Sequence, residues 1–345
     1  MPSTVMPLSP QPAAVEAFDL VKTYSGGRRK PSVRALDGLG FSIAPGTVYG
    51  MLGPNGAGKS TTTKICTTLA RADSGTARVA GFDVGTDPAA IRCRIGYVSQ
   101  GSGADPRQTP FENLMMSARL RGITRHDAAE RAERLLDQFQ LTEARDRKVA
   151  KLSGGMRRKL DVAVGLVHTP SVLFLDEPTT GLDPQARAEM WTEIRRLATE
   201  AALTVVLTTH YLDEADELAD RLLIIDHGRA VIEGTPAQLK STLKGDTLTV
   251  ELIEPDVNAV RALGESIPAL RDVVVETHGP NGRLFARTDD PSGIVGRVIN
   301  EFDAAAISFG AISVSRPSLD DVYLHYAGHS YRADATDGAP AEVAA

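Results

Sequence analysis

The chain has only two cysteines, Cys66 and Cys93, in 345 residues. That is too few for a disulfide framework or a cysteine-built zinc site. Reduced thiols of the cytosolic kind are the expected state. Long apolar runs are also missing. The longest, Ser171 to Leu175 and Leu222 to Ile225, are strand-sized and fall well short of the ~18 residues that span a bilayer. The N-terminus lacks the positive start and apolar centre of a secretory signal. Work at a membrane would therefore require something else to hold the chain there. There is no basic excess. A net charge of −6 and an isoelectric point near 5.7 argue against a protein that coats nucleic acid. No internal repeat and no coiled-coil heptad is found.

What is present is ordinary globular material, 42% hydrophobic and 24% charged residues, in a chain long enough for two domains. Residues 1–14, with Pro2, Pro7, Pro10 and Pro12, read as a flexible tail. Ala17 to Ala44 reads as short hairpin strands broken by a charged turn at Ser25 to Pro31. From Val48 apolar strands alternate with helices, the signature of an α/β core. Phe111 to Leu120 and Asp127 to Phe139 have helical spacing and form an insertion at about 101–165. The core pattern resumes at Ser171 and ends near residue 240. A second domain, 246–328, follows with the order β-α-β-β-α-β of a ferredoxin-like module. Ser318 is placed to cap a last helix, Leu319 to Tyr326. Residues 329–345 are polar and Ala-rich and read as a second tail.

Chemistry is concentrated in three segments. Gly53-Pro54-Asn55-Gly56-Ala57-Gly58-Lys59-Ser60-Thr61 matches a complete phosphate-binding pattern. The glycines let the backbone N–H groups wrap a phosphate. Lys59 supplies an ammonium for the β- and γ-phosphates, and the Ser60 hydroxyl suits Mg²⁺. The apolar run Val48 to Leu52 precedes the loop as a buried strand, and Thr61 to Leu69 can follow as a helix with its N-terminus toward the anion. Downstream, Val172 to Leu175 leads into Asp176 and Glu177. Two acids at the end of a buried strand call for a bound cation or polar group. Asp176 is placed to hold Mg²⁺ through water, and Glu177 to accept a proton from the water attacking the γ-phosphate. Between them lies Ser153-Gly154-Gly155, which opens a helix and offers bare N–H groups to an anion.

With these elements in this order the chain resembles the ABC transporter ATPases over about Ala17 to Leu239. The resemblance implies an ABC-type P-loop ATPase core with a β-subdomain and a helical insertion, followed by the small α+β ferredoxin-like domain. It also implies roles that the residues alone do not. Tyr24 sits where that family stacks a ring on adenine. Gln100 matches the glutamine that senses Mg²⁺ and attacking water. Ser153, Gly154 and Gly155 match the signature loop, with Met156 where many members have Gln. Gly181 to Pro184, including Asp183, matches the loop that crosses the dimer interface, and His210 the histidine that contacts the γ-phosphate.

Phosphate loop and signature loop meet, in that family, across two subunits. The resemblance thus implies a homodimer with ATP and Mg²⁺ at its interface. It also implies a separately encoded membrane permease and a peripheral position at the cytoplasmic face of the membrane. Ser315 to Leu324 resembles the end of the daunorubicin-resistance type of drug-export ATPases. Leu319 and Tyr323, four apart, are expected to dock on the partner subunit if this domain regulates. Export of a drug or antibiotic is the leading reading. An import ATPase, and a soluble ABC ATPase acting on ribosomes or nucleic acid, remain the alternatives.

Overall fold

The computed structural model describes residues 12–25, 31–200 and 202–327. The described residues divide into two compact units, the first ending at Glu233 and the second beginning at Gly234. The expected tails at 1–11 and 329–345, and the tip of the charged turn at 26–30, lie outside the described residues. Ala14, assigned to the first tail, is not part of one. It is buried, its N–H donates to Ile43 O and its O accepts from Ala80 N-H.

The first unit runs β1 (Val15–Tyr24), β2 (Val33–Ile43), β3 (Val48–Leu52), α1 (Lys59–Cys66), β4 (Ser74–Val79), β5 (Phe82–Asp83), α2 (Pro88–Arg92) and β6 (Ile95–Val98). It continues with α3 (Pro110–Leu120), α4 (Arg125–Gln138), α5 (Gly154–Leu166), β7 (Val172–Asp176), α6 (Pro184–Glu200), β8 (Thr204–Thr209), α7 (Leu212–Leu218), β9 (Arg221–Asp226) and β10 (Arg229–Gly234). Two sheets result. One has the order β2-β1-β4-β5, the other β10-β9-β3-β8-β7-β6. In the second, β3, β6, β7, β8 and β9 pair in parallel. Their continuous apolar runs follow from burial on both faces.

The strand period of two sorts these runs into two cores. Leu173, Leu175, Val205 and Leu207 point into a core shared with the α3–α6 side. Val172, Phe174, Val206 and Met51 point into another, shared with β1, β2 and β4. The insertion helices are capped as their sequences dictate. Thr109 and Glu112 form a capping box on α3, and Thr124 caps α4. No helix among the described residues is long and apolar enough to cross a membrane.

The second unit contains α8 (Pro236–Ser241), β11 (Asp246–Ile253), α9 (Val257–Ser266), β12 (Arg271–His278), β13 (Asn281–Thr288), α10 (Ile294–Ala304), β14 (Phe309–Ser315) and α11 (Leu319–Ala327). Its sheet order is β12-β13-β11-β14, antiparallel at each junction, as the β-α-β-β-α-β order requires. Leu248, Val250 and Leu252 face Val260, Val298 and Phe302. Ser318 accepts from Asp321 N-H, the expected cap.

The expected docking role of Leu319 and Tyr323 is corrected here. They are 2% and 0% exposed. The neighbouring Leu324 and His325 line a cavity with Thr247, Val274 and Phe285. By the alternation of the strands these lie on the sheet face opposite Leu248 and Val250. The apolar side of α11 is thus spent on its own unit.

Candidate functional site

The parallel strands set the site by ending at a common edge. Leu52 of β3 pairs with Thr209 of β8, and Asp176 of β7 with Thr208. The phosphate loop leaves β3, the acids end β7, and His210 follows β8.

Gly53 closes tightly on the sheet. A Cβ there would lie 2.2 Å from Ile225 O. Gly56 and Gly58 adopt φ of 84° and 111°, open to glycine and strained for other residues. The helix of the loop starts at Lys59 and ends at Cys66, starting two residues and ending three residues before the limits the sequence pattern gave it. Thr68, at φ 63°, lies beyond its end.

Lys59 is 4% exposed, and its ammonium donates to Gly53 O at 2.6 Å and Pro54 O at 3.1 Å. Burial pulls its pKa down, against the attraction of Glu177 and Asp176. These two carbonyls are weak partners for a charge, so a phosphate entering the loop meets a cation it can claim. Asn55 and Gly56 are exposed at the loop tip, whereas Ala57 is buried and Thr61 half-buried.

The Ser60 hydroxyl donates to Asp176 Oδ1 at 3.1 Å, and Thr208 Oγ1 donates to the same oxygen at 2.6 Å. This hydroxyl–carboxylate pair is the hard-oxygen chemistry that Mg²⁺ takes, with water and phosphate oxygens completing its shell. No cluster of three His, Cys, Asp or Glu able to hold a metal alone occurs among the described residues.

Glu177 is 8% exposed and sits at φ 48°, a left-handed backbone rare outside glycine. Its Oε2 accepts from Gln100 Nε2 at 3.0 Å and Thr180 Oγ1 at 3.2 Å. His210 Nδ1 lies 3.2 Å from Oε1 without meeting the geometry of a hydrogen bond. Burial pushes the Glu177 carboxyl up, but His210, the Lys59 charge and the Thr180 hydroxyl outweigh it and hold it below its usual range. A carboxyl held there is ionised at neutral pH.

Ser153 caps α5 through Met156 N, and it and Gly154 are exposed. Gly155 packs against Ala186, where a Cβ would lie 3.0 Å from Ala186 Cβ. Asp183, which caps the next helix through Ala186 N, is therefore its neighbour. The expected residues thus fall into two groupings in one chain. Lys59, Ser60, Gln100, Asp176, Glu177 and His210 form one, and Ser153–Gly155 with Asp183 the other. Tyr24 stands apart at the end of β1, 41% exposed, with Lys22 Nζ 5.5 Å from its ring centre.

Comparison with known proteins settles the family. A model described as ABC transporter matches residues 36–180. The chain is 45% identical over 316 residues to the daunorubicin/doxorubicin resistance ATP-binding protein of Streptomyces peucetius, covering 92% of this chain and 93% of that one. It is 34% identical to the linearmycin resistance ATP-binding protein of Bacillus subtilis, with 92% and 99% covered.

The chain belongs to the ABC transporter ATPase family.

A dimeric ATP-binding cassette solved in a post-hydrolysis state with ADP and Pi matches with a TM-score of 0.59 at 25% identity, covering 64% of this chain and 98% of that one. The fold class expected from the motifs, an ABC P-loop core, is therefore observed, and the chain is an ATP hydrolase of the ABC type. A Nod factor export ATP-binding protein of Paraburkholderia xenovorans is 36% identical, with 92% and 98% covered.

Within this ABC ATPase the structure also brings in residues the motifs did not name. Arg158, Asp161, Thr208, Thr180 and Glu214 all bond to the loops that carry the acids or their neighbours. A signal for Arg158 does exist. It shares the helical stripe of Val162 and Leu166, at i, i+4 and i+8, so a charge falls where the helix is otherwise apolar. The threonines give no such signal.

Proposed function

We propose that this chain is the nucleotide-hydrolysing subunit of an export pump that removes a drug or antibiotic from the cell. The observation that carries the reading is the convergence of Lys59, Ser60, Asp176, Glu177, Gln100 and His210, in a chain that spans nearly the full length of resistance and export ATP-binding proteins.

Lys59 and the loop N–H groups hold the β- and γ-phosphates and offset the charge that develops in transfer. Ser60 and Asp176 hold Mg²⁺, with Gln100 adjoining, and the ion when bound adds positive charge against the phosphate oxygens. Glu177 orients the attacking water and takes its proton, and His210 stands beside it toward the γ-phosphate. Tyr24 stacks on adenine. Ser153, Gly154, Gly155 and Asp183 serve the nucleotide of a second copy, so the working form is a homodimer with ATP between the copies. The split of the site residues into two groupings supports this arrangement.

A separately encoded permease supplies the membrane passage and holds the dimer at the cytoplasmic face. Helix α3 favours such docking, since Met116 and Leu120 are 42% and 82% exposed there. Residues 15–240 form the nucleotide-binding domain, and 246–328 an accessory domain.

The test is a pull-down of ATP-loaded Glu177→Gln protein from detergent-solubilised native membranes. Stoichiometric recovery of a polytopic membrane protein is expected. Recovery of ribosomes or nucleic acid, with no membrane protein, would overturn the reading. In the same variant ATP binding should persist while turnover falls by about 100-fold or more. Near-normal turnover would remove Glu177 as the base.

A further inference from the structure

Helix α5 carries two buried charges that touch no reacting group. Arg158 and Asp161 are each 7% exposed. The Arg158 guanidinium donates to four main-chain carbonyls. Nη1 reaches Ser99 O at 2.6 Å, Nη2 reaches Asp176 O at 3.0 Å and Glu177 O at 3.1 Å, and Nε reaches Pro178 O at 2.8 Å. Three residues on, Asp161 Oδ1 accepts from Ser102 Oγ at 3.0 Å, Gly103 N at 3.0 Å and Ala104 N at 3.2 Å.

One helix therefore grips residues 99–104 on both sides of Gln100 and also grips the backbone of both acids. Burying a guanidinium is unfavourable unless its donors are met. Here they are spent on the backbone at Glu177, whose φ of 48° needs support from its surroundings. The planar fork of arginine can serve several carbonyls at once, which a lysine ammonium on its single stem does not reproduce.

We propose that Arg158 and Asp161 are positioning residues that relay the state of the signature loop to the hydrolytic site of the same chain. Ser153 caps α5, and Arg158 lies about 7–8 Å further along the same rod at 1.5 Å per residue. Whatever engages Ser153–Gly155 moves α5 as a unit. Both grips move with it, and so does the 3.0 Å contact between Gln100 and Glu177. A nucleotide bound by the partner copy's phosphate loop would in this way set the geometry of the water-orienting pair here. The inference rests on the proposed roles of Glu177 and of the signature loop.

The test uses the full-length chain and its Arg158→Lys, Arg158→Gln, Asp161→Asn and Glu177→Gln variants. ATP affinity, turnover against ATP concentration, and melting temperature are measured for each. For both Arg158 variants we expect kcat to fall about tenfold or more with ATP affinity within about threefold, and Asp161→Asn to fall in the same direction by less. The double variant Arg158→Gln/Asp161→Asn should lose less than the product of the single effects, since both act through one pair. Turnover within twofold of the parent in the Arg158 variants would overturn the relay. So would parallel loss of binding, turnover and melting temperature, including in the charge-conserving Arg158→Lys, which would mark a purely structural role. Glu177→Gln separates the two claims. If it turns over normally the hydrolytic reading fails, and if it is dead while the Arg158 variants are normal only the relay fails.

Discussion

Gln100 and Glu177, 77 residues apart, are joined by a 3.0 Å hydrogen bond from the Gln100 amide to Glu177 Oε2. The bond fixes the direction of a carboxylate that is already ionised. Gln100→Ala should leave ATP affinity within about threefold and lower kcat about tenfold. Gln100→Glu would set a second carboxylate beside the first, and like charges raise each other's pKa. The acid limb of the turnover profile should then move to higher pH. An unmoved limb would show that Glu177 does not govern it.

His168 gives a pH signature of stability rather than of activity. Its Nε2 lies 2.9 Å from Ile95 O. Burial, with repulsion from Arg121 and Arg131, lowers its pKa to about 4. An unfolded histidine titrates near ~6.5. The folded state resists the proton, so this contribution is complete above ~6.5 and is lost as pH falls toward 4. Denaturant midpoints taken between pH 7 and pH 4 should fall less steeply in His168→Gln than in the parent.

Two glycines of the phosphate loop should respond differently to the same substitution. Gly53→Ala drives a methyl to 2.2 Å from Ile225 O, a main-chain atom that cannot swing away. A loss of about 2–3 kcal/mol or non-folding is expected. Gly56→Ala meets open space and carries only the left-handed backbone cost of about 1–2 kcal/mol. Equal midpoints for the two in urea would refute the packing argument.

Glu214 is 0% exposed and accepts from Thr179 Oγ1 at 2.9 Å. Burial raises its carboxyl pKa, against the polar side chains of Thr209, Thr179 and Trp191 beside it. Glu214→Gln keeps the shape and removes the buried charge, so a change of less than about 1 kcal/mol is expected, while Glu214→Ala should cost about 2–4 kcal/mol by orphaning the buried Thr179 hydroxyl and leaving a cavity. Equal losses in thermal and urea unfolding would show that the charge itself is needed.

The local parts of this molecule were legible in its sequence, and the long-range parts were not. Gly53 to Thr61 could be read because its function depends on residue types at fixed spacing. The same is true of the alternation in Asp246–Ile253 and of the cap at Ser318. The Arg158 clamp could not, because its acceptors are main-chain carbonyls, which carry no residue identity. Leu319 and Tyr323 were misplaced since an apolar pair four apart signals burial without naming the surface that covers it. Ala14 was assigned to a tail by composition, but backbone pairing with Ile43 and Ala80 decides its place.

The register of β3, β8 and β7 acts as a ruler for the chemistry. Asp176, Glu177 and His210 lie at, or just past, the end of a strand whose neighbours fix its height. Sliding β7 by one residue would move Asp176 about 3.3 Å and turn its side chain to the other face, with no change in composition. The spacing between phosphate loop, acids and histidine is therefore a property of the sheet rather than of the loops themselves.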